Sequence, residues 1–152
     1  MKLPKEFEYY IKKGIVRIVK ADKQKAEFLI NESDTTFRGL NKRLNSMGID
    51  EDNVNSIIKD CYDILMELIR ASLLLDGYST SGNYAHEAEV SYLKKLKFND
   101  NEISFLNDLR KNRNSITYYG KILNKEYAGR VIEFTKKNYL KLKKITEKIE
   151  KR

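Results

Sequence analysis

The stretch Asp50–Gly77, DEDNVNSIIKDCYDILMELIRASLLLDG, decides the fold. Val54, Ile57, Ile58, Cys61, Leu65, Leu68, Ile69 and Leu73 recur at three- and four-residue spacing, which lines one face of a helix. An aspartate opens the run, and Asp76-Gly77 closes it with the glycine expected just past a helix end. It is the most apolar segment of the chain and predicts a central helix around which the others pack.

The same period extends outward in both directions. From the N-cap candidate Asp22, the residues Ala26, Leu29, Ile30, Phe37, Leu40 and Leu44 keep to one face until Met47-Gly48. Beyond the central segment, GYSTSG (Gly77–Gly82) has turn composition and predicts a surface loop. A third helix is expected over about Tyr84–Lys97 and a fourth from an Asn99-Asp100 cap to Gly120. A fifth follows Asn124, with Ile132, Thr135, Tyr139, Leu142, Thr146 and Ile149 as a seam facing the core or a partner helix. The only proline is Pro4, so nothing interrupts long helices. These features predict an all-α, up-and-down bundle of about five helices over residues 22–152. Residues 1–21 read as an N-terminal arm, in which Phe7, Tyr10 and Ile11 suggest a short helix and β-branched Gly14–Val19 an extended run.

Composition narrows the chemistry. At 152 residues the chain is one ordinary domain. Cys61 is its single cysteine and His86 its single histidine, so neither a disulfide nor a metal-ligand cluster is expected, and no cofactor is implied. The absence of a charged leader with an apolar run, and of any long apolar stretch, predicts a cytoplasmic protein without membrane attachment. The net charge of +8 would attract polyanions. Positive residues gather towards the end, among them Lys136, Lys137, Lys143 and Lys144, and form a candidate nucleic-acid surface.

One stretch conflicts with its own period. In DLRKNRNSITYYG (Asp108–Gly120), Arg113 falls inside the apolar stripe made by Ile103, Leu106, Leu109 and Ile116. A guanidinium does not lose its proton, so in a buried stripe it needs an anionic or carbonyl partner. Three readings follow: an internal ion pair with Asp63 or Glu67, an arginine that snorkels to water at the edge of the bundle, or a phosphate from outside.

Arg113, then polar Asn114, then an aromatic residue just before a helix-ending glycine, resembles the signature helix of the HEPN domains. These are all-helical proteins found beside nucleotidyltransferases and in RNA-cleaving toxins, and the resemblance covers most of the chain from Asp22 onward. It implies that the arginine holds a phosphate, that RNA or a nucleotide is bound, and that two copies pair with their motif helices together. The family's histidine, four to six residues after the arginine, is replaced by Tyr118, and His86 lies on another helix. A tyrosine with a pKa near 10 is a poor general base at pH 7, although it can position a phosphate. On a regular helix Arg113 and Tyr118 also point about 140° apart, at about 100° per residue.

Three functions follow from the resemblance. One is an RNA- or nucleotide-binding module using Arg113, with weak or lost cleavage. The second is a metal-independent, toxin-type endoribonuclease in which Tyr118 or His86 replaces the missing histidine. The third is a structural or regulatory homodimer partnering a nucleotidyltransferase.

Overall fold

The computed structural model describes all residues, 1–152, and shows an all-α helical bundle with one small two-stranded sheet. Six α-helices follow in order: α1 (Phe7–Lys12), α2 (Lys23–Met47), α3 (Val54–Leu75), α4 (Ala85–Ser91), α5 (Asp100–Tyr119) and α6 (Lys125–Glu150). A single 3₁₀ turn, Tyr92–Lys94, continues from α4. The expected caps hold the helix starts. Asp22 accepts from the backbone of Lys25, Asn124 from Tyr127, and Asn99 forms a reciprocal capping box with Glu102.

α3 is the spine. It packs along α2 and α6 and touches α4 and α5, and its residues are buried almost all round. A helix that is apolar over most of its circumference has no face for solvent and belongs at the centre of a bundle. Leu65 and Leu68 of α3 share one continuous core with Leu106, Leu109 and Ile116 of α5. On α6, Ile132, Thr135, Leu142, Thr146 and Ile149 are buried and Tyr139 packs at the edge of the core, so the seam faces inward. Cys61 is buried on the same spine, where desolvation pushes its thiol up to about 12 and leaves it unreactive at neutral pH.

Two expectations need correction. GYSTSG is not simply a loop, because Tyr78–Thr80 forms β2 and pairs antiparallel with β1 (Val16–Ile18), in the register Val16 to Thr80 and Ile18 to Tyr78. Nor do residues 1–21 stand apart as an arm. Phe7, Tyr10 and Val16 are buried in the common core, and Phe7 meets the rings of Tyr78 and Tyr92. The physical reason is non-local pairing: each short strand satisfies its backbone only through the other, so neither leaves a periodic signal of its own.

Gly77 makes that pairing possible. Its φ of +89° lies in the left-handed region, and an added Cβ would sit 3.0 Å from the backbone oxygen of Val19, while its own carbonyl accepts from the Val19 amide at 2.8 Å. Gly77→Ala is therefore expected to destabilise the fold by about 1–2 kcal/mol, measured by denaturant unfolding; unchanged stability would show that the turn relaxes freely.

Candidate functional site

The first turn of α4 and the second half of α5 enclose a cleft of about 390 Å³, lined by Gly82, Asn83, His86, Glu87, Arg110, Arg113, Asn114 and Tyr118. The four residues singled out by sequence, Arg113, Asn114, Tyr118 and His86, thus meet within one chain. Arg113 and Tyr118 line the same cleft from different sides of α5. Tyr118 stands at its mouth, 72% exposed.

Arg113 is half-buried and makes no ion pair. Its Nη1 donates to Thr117 Oγ1 at 3.3 Å on the same helix, its guanidinium lies 5.9 Å from the centroid of the Tyr62 ring, and its buried Nε has no hydrogen-bond partner. The internal pair with Asp63 or Glu67 does not form. Asp63 feels the Arg113 charge, yet burial still raises its pKa, and Glu67 is pushed up to about 7 by burial and by the neighbouring Asp63 and Glu32 carboxylates. Arg113 is left facing the cleft with donor capacity unused.

Arg110 is the residue that sequence reasoning passed over. It sits one turn before Arg113, and that three-residue spacing was the available signal, since it puts two guanidiniums on one helix face. Unlike Arg113, it is already engaged: Nε donates to Asn107 at 3.1 Å and Nη2 meets Glu87 Oε1 at 3.5 Å.

His86 is set from behind by Tyr62. The buried phenol is pushed well above its ordinary pKa by desolvation, so it keeps its proton. Its one hydrogen-bond contact is His86 Nδ1, at 3.1 Å. The direction of this bond and the tautomer of the ring go together: when the phenol donates, Nδ1 accepts and the proton of the neutral ring sits on Nε2. Burial lowers the His86 pKa, opposed by Glu89 and reinforced by Arg70, Arg113 and Arg110. Near neutral pH the ring therefore offers a neutral N–H donor. In that tautomer Nε2 is a donor, and the ring's accepting nitrogen, Nδ1, is turned to Tyr62.

The predicted lysines lie elsewhere. Lys136, Lys137 and Lys144 are exposed on α6, while Lys143 binds Asp34 at 2.8 and 3.0 Å, and none of them lines the cleft. Lys143 is thus committed to joining α6 to α2. No group of three or more His, Cys, Asp or Glu side chains is placed to hold a metal, and no helix is long and apolar enough to cross a membrane. No protein-family model, curated protein or solved structure matches the chain.

As the only histidine in the chain, His86 gives one unambiguous imidazole signal in a proton NMR titration. Its midpoint should fall below 6.5, and Tyr62→Phe should raise it, because the lost donor had favoured the neutral ring. A midpoint that ignores the substitution would show that Tyr62 does not set the tautomer. Glu67 predicts the opposite sense of pH dependence. Its folded pKa of about 7 exceeds the ordinary 4.5, so stability present at low pH is lost as pH rises through 7. Glu67→Gln should raise the thermal midpoint at about pH 8 and leave it nearly unchanged at about pH 4, below both pKa values; an equal shift at both would rule out the raised pKa.

Proposed function

We propose that the cleft binds a phosphate of RNA or of a nucleotide through Arg113, with His86 Nε2–H and the Asn114 amide as neutral donors beside it. The observation that carries this reading is the state of Arg113: half-buried, unpaired, its Nε without a partner, and open to a cleft that holds a second arginine. No carboxylate meets this guanidinium, and with only Nη1 bonded, to Thr117, its Nη groups have donors left for a charge-assisted bond to phosphate oxygens. The exposed lysines of α6 supply long-range attraction rather than contact. The choice of RNA rests on the resemblance of Arg113-Asn114 and its surrounding helices to HEPN domains.

One observation favours metal-independent cleavage as a second reading, namely that an imidazole shares the cleft with the arginine. A Tyr62 hydroxyl that donates to Nδ1 speaks against it. Proton transfer from a ribose hydroxyl to Nε2 would first require the imidazole proton to move to Nδ1 and the Tyr62 hydroxyl to turn away. Binding with little or no turnover is the function that the geometry supports best.

Arg113→Ala should weaken binding of a labelled RNA oligonucleotide about tenfold, the scale of one hydrogen bond to a charged group. It should also reduce the slope of log affinity against log salt by about one. Unchanged affinity and slope would make Arg113 a structural residue. Pure protein incubated with RNA in the presence of a chelator should leave it intact; cleavage that disappears in His86→Ala would establish the nuclease reading instead.

A further inference from the structure

Of the ten tyrosines, three are buried, three are partly buried and four, Tyr9, Tyr84, Tyr118 and Tyr119, are exposed. Tyr10, Tyr62 and Tyr92 are buried. Tyr9 and Tyr84 are 40% and 62% exposed and line a single cleft of about 620 Å³ with Lys5 and Lys13. Both lysine ammonium groups lie 5.8 Å from the centroid of the Tyr9 ring. An exposed Tyr84 ring and a Tyr9 ring covered only by two flexible lysines suit a single-stranded polynucleotide, whose phosphates would draw the ammonium groups off Tyr9 and whose bases would stack on both rings.

This cleft adjoins the Arg113 cleft. Glu87 lines both, and Tyr84 follows Asn83, which lines the other. The Glu87 carboxylate is divided between the two sides: Oε2 accepts from Tyr10 at 2.9 Å and Oε1 meets Arg110 at 3.5 Å. Both oxygens are engaged and Arg110 offsets the charge, so Glu87 forms a ridge shared by the two basic clefts.

Resting on the phosphate-binding reading of the Arg113 cleft, we propose that the two clefts form one track for single-stranded RNA. Arg113 and His86 take one phosphate. The strand then crosses the Glu87 ridge, stacks bases on Tyr84 and Tyr9, and places its phosphates near Lys5 and Lys13. The ligand is therefore an unpaired strand of several nucleotides, and a mononucleotide fills only one end.

The test measures binding of labelled oligouridine of three and of about eight nucleotides by fluorescence anisotropy, with circular dichroism to establish that each variant is folded. Wild-type protein should bind the longer strand more tightly. Tyr9→Ala and Tyr84→Ala should each remove about tenfold of that gain and leave trinucleotide affinity unchanged, while Tyr9→Phe and Tyr84→Phe, which keep the stacking face, should bind like wild type. A duplex of the longer length should compete poorly. The track is overturned if both alanine variants keep the full gain with length, or if the duplex competes as well as the single strand. Arg113→Ala separates the two readings: unchanged trinucleotide binding removes the Arg113 site, whereas loss of trinucleotide binding with an alanine-insensitive length gain removes only the track. Absence of RNA binding at every length in low salt overturns both.

Discussion

A carboxylate only 1% exposed, that of Glu89, joins three elements of the fold. Arg70 of α3 meets it with two parallel hydrogen bonds of 2.8 and 2.9 Å, and Thr80 of β2 donates to it at 2.7 Å. Desolvating a carboxylate is costly, and only a paired, hydrogen-bonded geometry offsets that cost. Glu89 thus fixes the position of α4 relative to both α3 and β2. Since β2 is held in turn by β1, the N-terminal residues reach the site through the sheet. His86 and Glu87 lie on the same short helix as Glu89, so the wall shared by the two clefts depends on this one buried charge.

Local physics made most of the helices legible. Asp22, Asn99 and Asn124 cap where their side chains can accept from the next turn, and the three-four spacing of α2, α3, α5 and α6 marks the faces that are buried. The misplacement of Arg113 within its stripe was legible for the same reason. Its surroundings were not: whether Asp63, Glu67 or neither would pair with it depends on how α3 and α5 rotate about their axes, which no periodicity encodes. The β1–β2 pairing, the Tyr62–His86 bond and the sorting of tyrosines into buried and exposed groups are likewise products of tertiary packing. Arg110 was within reach of sequence reasoning, because a second arginine three residues before the first shares its face.

The charge pattern around α4 separates structural from available cations. Arg70 is committed to Glu89, and Arg110 is opposed by Glu87, whose other oxygen holds Tyr10. Arg113 has no such carboxylate. Asp63 feels the charges of Arg113 and Arg70 without a hydrogen bond to either, so Arg113 is the one guanidinium of the three with no carboxylate on it, and its Nε is buried without a partner. A cation in this position repels other cations and lowers the pKa of the nearby imidazole, which keeps His86 neutral. An anion entering the cleft would reverse both effects: it would pair with Arg113, and its field would favour protonation of His86. Ligand and imidazolium would then stabilise each other, so affinity would be coupled to the uptake of a proton at this ring. The hydrogen bond from Tyr62 opposes that uptake, because protonation at Nδ1 turns the acceptor into a donor and forces the phenol proton to find another partner. The balance between Arg113 and Tyr62 therefore governs whether the imidazole meets a phosphate as a neutral donor or as a cation.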